Sequence, residues 1–143
     1  MLKELLDKVA QLMRTEIKKK TIAFSVTYES EYLSVQADAE MIEQVLINLV
    51  KNSIEALSDT PNGRIDMRAS YTAGAVIIDV SDNGPGIIKE ALNRIFVPFF
   101  TTKKTGSGIG LSLSRQIMQM HHGSLSVESE PGVKTVFRLK FGA

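Results

Sequence analysis

No cysteine occurs among the 143 residues, which removes disulfides, thiolate metal sites and thiol nucleophiles together. No apolar run approaches the ~20 residues that span a bilayer. The opening stretch Met1-Leu2-Lys3-Glu4-Leu5-Leu6-Asp7 lacks the apolar centre of a signal peptide. Nothing in it points to export, and a cytoplasmic setting without direct membrane contact is expected. Net charge is also nearly missing: 17 basic and 16 acidic residues leave +1, too little to gather nucleic acid. Repeats, low-complexity tracts and interdomain linkers are absent, so residues 1–143 are expected to form one domain with its own core. The rest is ordinary: 43% of residues are hydrophobic and 23% charged, so function must reside in local sites.

Hydrophobic spacing supplies the elements. Leu2, Leu5, Leu6, Val9, Leu12, Met13 and Ile17 recur at helical spacing, predicting an amphipathic helix over residues 1–20. Ile22 to Tyr28 alternates as a strand, and Leu33-Ser34-Val35 reads as a short second one. Asp38 is a suitable N-cap for a helix that runs to about Leu57 and stops at the turn-rich stretch 58–63. Arg64–Tyr71 and Ala75–Asp82 read as paired strands, with a short helix expected at Lys89–Ile95 inside a long irregular stretch. Ile109–His121 is helical by its stripe, and Ser124–Glu130 pairs with Thr135–Phe141 across Pro131-Gly132. The expected class is α+β: a two-layer sandwich with a mixed sheet of about five strands, covered on one face by about three helices.

Four clusters carry chemistry. Asn48 and Asn52 lie four apart on a helix, which brings their amides within ~40° on one side. They flank the apolar stripe, at the rim of a cleft, where amide oxygens suit a Mg²⁺ ion that takes other ligands from phosphates; the bland alternative is a solvated helix edge. Asp82-Asn83-Gly84-Pro85-Gly86-Ile87 follows an apolar strand. A carboxylate there can accept a hydrogen bond from an exocyclic amine, as adenine offers and guanine does not. The alternative is a simple Asn-Gly turn. Gly106-Ser107-Gly108-Ile109-Gly110-Leu111 leads into a helix, and its backbone N–H groups suit an anion, or else it is a flexible hinge. It is neither a dinucleotide fingerprint nor a P-loop. In Phe96-Val97-Pro98-Phe99-Phe100-Thr101-Thr102-Lys103-Lys104-Thr105 the paired phenylalanines can anchor a mobile loop and the lysines can approach phosphates. Core packing and solvated lysines are the alternatives.

Taken in order, Asn48 to Ala56, Asp82 to Gly86, Phe96 to Lys103 and Gly106 to Leu111 resemble the asparagine, first glycine, phenylalanine and second glycine boxes of sensor histidine kinases. The likeness runs from about Ile22 to Phe141, nearly the whole chain, ending in a segment similar to the family's closing hairpin. It implies the Bergerat ATP-binding fold shared with DNA gyrase, MutL mismatch-repair proteins and the ninety-kilodalton heat-shock chaperone. It implies that Asn52 and Asn48 hold Mg²⁺, that Asp82 reads the adenine amine, and that Gly84, Gly86 and Ile87 line the base. Residues 96–108 would be an ATP lid, with Thr102, Gly106, Ser107, Gly108, Ile109, Gly110 and Leu111 over the phosphates. Lys103 would contact phosphate, and Thr135 would sit beside the adenine-binding aspartate.

The resemblance further implies an ATP-dependent protein-histidine kinase acting on a histidine of a dimerisation domain, with a response regulator as an indirect partner. In the hydrolytic relatives a glutamate one turn before the Mg²⁺ asparagine activates water. Asn48 stands there and cannot take a proton, so binding of Mg-ATP with slow hydrolysis is expected. No histidine lies in the first helix, so self-phosphorylation is not expected, and that helix is expected to pack on the domain. His121 and His122 read as helix C-terminal residues rather than as acceptor or metal ligand. Lys134 stands where the family usually has glycine. A non-catalytic nucleotide-binding regulatory module and an anti-sigma-factor serine kinase of the same superfamily are the alternatives, the second opposed by the Pro98–Lys103 segment.

Overall fold

The computed structural model describes residues 2–97 and 110–142. Helix α1 (Leu2–Lys19) buries Leu2, Leu6, Val9, Met13 and Ile17, the face that its spacing predicts. Leu12, assigned by spacing to the same stripe, is 53% exposed, because it lies at the flank of that face. The helix packs on the rest of the fold, as expected, and Lys8 reaches Glu43 of the next helix at 3.0 Å.

Strand β1 (Ala23–Tyr28) follows, but no strand forms at Leu33-Ser34-Val35. There the alternation predicts burial correctly, with Leu33, Val35 and Ala37 half-buried against the core, but no ladder. Strand β1 pairs with β2 (Arg64–Thr72) in parallel, and the segment does not add to its other edge. The segment serves as a strap whose Leu33 carbonyl accepts from the Leu2 N–H at 3.0 Å, at the start of α1.

Asp38 caps helix α2 (Ala39–Ala56): its Oδ1 accepts from Glu40 N at 3.0 Å and Met41 N at 3.2 Å. Two of the four unsatisfied N–H groups of that terminus are thereby satisfied. Strand β3 (Ala75–Asp82), the single helical turn α3 (Lys89–Leu92), α4 (Gly110–Met120), β4 (Ser124–Glu130) and β5 (Lys134–Gly142) complete the order. The expected short helix is thus shorter than Lys89–Ile95.

The five strands form one sheet in the order β1-β2-β3-β5-β4, parallel between β1 and β2 and antiparallel elsewhere. One face carries Ile65, Met67, Val76, Ile78, Val80, Leu125, Phe137 and Leu139, all buried beneath α1, α2 and α4. The other face is polar. On it Arg138 grips Asp79 through Nε at 2.9 Å and Nη2 at 3.3 Å and reaches Glu128 at 3.2 Å. Hydrogen bonding to Asp79 and its charge push the Arg138 guanidinium pKa up. This is the two-layer α+β arrangement read from the sequence, with five strands and three helices on one side.

Candidate functional site

Strand β3 presents Val76, Ile78 and Val80 to the core, and the same period-two alternation carries Asp82 to that inner face. Antiparallel register sets Thr135 of β5 directly opposite. The apolar sheet therefore ends in a polar pair, 5% and 4% exposed. Burying a carboxylate is costly unless it makes hydrogen bonds, and Asp82 Oδ1 accepts from Gly84 N at 2.9 Å.

The loop after Asp82 is not a hairpin turn; it folds onto the β4–β5 connection. Ser129 Oγ accepts from Ile87 N at 2.7 Å, donates to the Lys134 carbonyl at 3.0 Å and lies 3.2 Å from Thr135 Oγ1. Gly132 N donates to the Pro85 carbonyl at 2.6 Å. At Gly86, with φ +75°, a Cβ would lie 2.6 Å from the Glu130 carbonyl oxygen, so only glycine fits. A Cβ on Gly84 would lie 2.9 Å from Asp82 Oδ1 and 3.3 Å from the Ala56 carbonyl. Gly84 thus brings the aspartate loop against the C-terminal turn of α2. Asn83 is a brace: its Oδ1 accepts from Arg64 N at 2.6 Å and its Nδ2 donates to the Asn62 carbonyl at 3.0 Å. Lys134 is exposed and sits across from Glu130 in the ladder, so the departure from glycine places its side chain toward solvent.

Farther back along α2, Asn48 meets the start of α4. Its Nδ2 donates to Ser114 Oγ at 3.4 Å, and its Oδ1 accepts from Gln44 Nε2 at 3.3 Å. A Cβ on Gly110 would lie 3.8 Å from Asn48 Cγ. Residues 48, 52 and 56 occupy successive turns, so the Gly110 contact and the Gly84 contact lie about 12 Å apart along one side of α2. Asn52, half-buried, stands on the turn between them. The structure therefore brings together Asn48, Asn52, Asp82, Gly84, Gly86, Thr135 and Gly110, with Ile87 and Leu111 half-buried against the core. Thr102, Lys103, Gly106, Ser107, Gly108 and Ile109 lie outside the described residues.

Two groups were missed by sequence reading. Ser129 is the hub of the loop contacts, and nothing in its local pattern marks it. Ser53 is 1% exposed, and its Oγ has no hydrogen-bond partner among the described residues. A serine on an apolar stripe beside Asn52 is itself a signal, since an orphaned buried hydroxyl asks for a ligand or an ordered water.

A cavity of about 260 Å³ lies elsewhere, bounded by Val35, Val76, His121 and Phe141. Val76 and Asp82 are six positions apart on β3, so that cavity is roughly 20 Å from the aspartate. His121 and His122 occupy the end of α4, as their place in the sequence suggests. His121 Nδ1 lies 2.8 Å from the Ile117 carbonyl, and His122 closes the helix at φ +56°. Among the described residues no group of three or more histidine, cysteine or acidic side chains is arranged to hold a metal. A divalent ion at this site would depend on the two amides and on its substrate's oxygens. None of the described helices is long and apolar enough to cross a membrane.

Comparison with known proteins agrees with this geometry. Residues 37–143 match the family described as histidine kinase-, DNA gyrase B- and HSP90-like ATPases. Sporulation kinase A of Bacillus subtilis (strain 168) is 35% identical over 98% of this chain, which spans 23% of that kinase. The nucleotide-free catalytic domain of histidine kinase ThkA superposes with a TM-score of 0.89 at 39% identity, covering 99% of this chain and 91% of that one. ThkA in complex with response regulator protein TrrA gives 0.83 at 37% identity, covering 99% of this chain and 40% of that one. With its buried Asp82–Thr135 pair, its asparagine-bearing α2 and these relatives, the chain belongs to the histidine kinase-, DNA gyrase B- and HSP90-like ATPase family, in the form of a histidine kinase catalytic domain.

Proposed function

We propose that this domain binds Mg-ATP and donates its γ-phosphoryl group to a histidine on the dimerisation domain of a two-component kinase, from which a response regulator is then phosphorylated. The observation that carries the reading is the ~12 Å span along α2 between the aspartate loop and the start of α4, with Asn52 between them. Asp82 accepts the exocyclic N–H of adenine, and Thr135 and Ser53 supply hydroxyls for the base or a bridging water. Gly84 and Gly86 keep the wall flat enough for the base, and Ile87 contributes apolar contact.

The triphosphate then runs along α2 toward α4, whose first N–H groups at Gly110 and Leu111 favour anions. The resemblance assigns phosphate contact to Thr102, Lys103, Gly106, Ser107, Gly108 and Ile109, which lie outside the described residues. Asn48 and Asn52 would hold Mg²⁺ through their amide oxygens, and the ion would neutralise charge on the phosphates. In the transfer the bond between the γ-phosphorus and the β,γ-bridging oxygen breaks, a phosphorus–nitrogen bond forms to the acceptor imidazole, and ADP leaves. Asn48 cannot deprotonate water, so hydrolysis without the acceptor stays slow.

The test is calorimetric titration with ATP and GTP, with and without Mg²⁺, followed by addition of an isolated acceptor domain with γ-labelled ATP. Adenine preference, a Mg²⁺-dependent gain and label on the acceptor histidine are expected. Equal affinity for GTP would remove the role of Asp82. Adenine-selective binding with no label transfer to any acceptor would leave a non-catalytic binding module.

A further inference from the structure

Polar contacts join α4 to α2 near both ends of α4, one of them at the nucleotide end. Near that end Ser114 Oγ accepts from Asn48 Nδ2 at 3.4 Å. At the other end the Asp38 N–H donates to His121 Nε2 at 3.1 Å, and His121 Nδ1 lies 2.8 Å from the Ile117 carbonyl. The helices therefore run antiparallel. A backbone N–H can only donate, so Nε2 carries no proton, and Nδ1 must then carry the proton it donates to Ile117. The ring is a neutral Nδ1–H tautomer bridging the last turn of α4 to the N-cap of α2.

We propose that His121 is a positioning residue of the nucleotide site, acting through α4. Between these contacts the helices meet through buried apolar side chains such as Ile117, Met118 and Val45. Interdigitated side chains set the crossing angle of two helices to within about 15–20°, and a directional hydrogen bond at the far end narrows it further. Without the His121 bond, the far end of α4 is held to α2 by packing, and small changes of tilt about the Asn48 end become accessible. With that bond the range of tilt is narrower, and so is the range of positions of Gly110 beside Asn48. Asp38 has two duties in this scheme: its carboxylate caps α2 and its N–H anchors α4. The inference rests on the nucleotide reading above.

The test compares His121→Ala, His121→Gln and His121→Asn in the full chain by calorimetric Mg-ATP affinity. Nitrogen NMR of the wild-type ring is recorded alongside. A glutamine carbonyl reaches the position of Nε2 and keeps the bond from Asp38. Asparagine is too short for that but still donates to the Ile117 carbonyl. Alanine and asparagine are expected to weaken binding roughly three- to tenfold, as for one lost hydrogen bond, and glutamine to restore most of it. The wild-type ring should show the Nδ1–H pattern. Asparagine restoring affinity as well as glutamine would reduce His121 to a local cap, and wild-type affinity in all three would overturn the proposal while leaving nucleotide binding intact. No binding by the wild type would sink the nucleotide reading itself. Should the variants fail to fold, an Nε2–H or doubly protonated ring in the wild type still overturns it.

Discussion

At its Ala75 end β3 enters a hairpin through Gly74, whereas at its Asp82 end it enters a loop packed against two other elements. Both ends use glycine at positive φ, +83° at Gly74 and +75° at Gly86. The reasons differ. A Cβ on Gly74 would meet nothing within 4 Å, while one on Gly86 would strike the Glu130 carbonyl at 2.6 Å. The first glycine serves only the turn; the second serves a close approach. A cavity bounded by Val76 and Phe141 lies at the Ala75 end. The Asp82 end has buried polar side chains facing the core: Asp82, Thr135 and Ser53. The turn at the first end has no chemistry of its own, whereas buried polar groups mark the second as the functional end.

The largest effect should follow removal of the carboxylate. Asp82→Asn keeps size and the hydrogen bond from Gly84 N but turns an amide N–H₂ or a neutral oxygen toward the base. Loss of a charge-assisted hydrogen bond in a buried site predicts about a hundredfold weaker ATP binding. Thermal unfolding should remain close to wild type, and calorimetry with denaturation scans reads both. Full ATP affinity in this variant would mean that the polar end of β3 is structural, and the contrast between the two ends would lose its functional meaning.

Next come the glycines. Gly86→Ala must push the Glu130–Pro131 backbone away, at about 1–3 kcal/mol, and should also weaken ATP binding because the loop shifts. Gly74→Ala meets open space and carries only backbone strain, about 1 kcal/mol, with ATP affinity unchanged. Paired denaturant titrations and calorimetry distinguish them. Equal effects on affinity would show that the ends are coupled through β3.

Much of this was legible in the sequence. Asp38 as an N-cap, the stripe of α2 and the alternation of β3 depend on local residues, and the structure realises them. The asparagines and the Asp82–Gly86 run were recognisable because each motif is contiguous or one helical turn apart. Ser129, the link from His121 to Asp38 and the missing strand at Leu33–Val35 were not. All three depend on which elements become neighbours: Ser129 acts on Ile87 across 42 residues, and His121 acts on Asp38 across 83. Leu33–Val35 has a strand's alternation but joins no ladder: its Leu33 carbonyl accepts from the Leu2 N–H at the start of α1 instead. Ser53 is a different case: its apolar neighbours on α2 mask a buried hydroxyl that local pattern does not single out.

The smallest effect, and the one opposite in sign, belongs to His122. It closes α4 at φ +56°, where the Gly123 N–H reaches back to the Met118 carbonyl at 2.9 Å and the His122 N–H to Gln119 at 3.1 Å. This is the left-handed position after a helix that glycine usually fills, because a Cβ there crowds the following carbonyl. His122 is exposed and its backbone N–H bond survives any substitution except proline, so His122→Gly removes strain without removing a contact on which the fold depends. Some of the gain is lost to the greater freedom of glycine in the unfolded chain. The balance should be stabilising by about 0.5–1 kcal/mol, read as a higher denaturant midpoint at unchanged slope. ATP affinity should stay at the wild-type value, since of the two histidines it is His121 that bridges α4 to α2. A change in affinity without a change in stability would transfer the positioning role from His121 to the helix terminus as a whole.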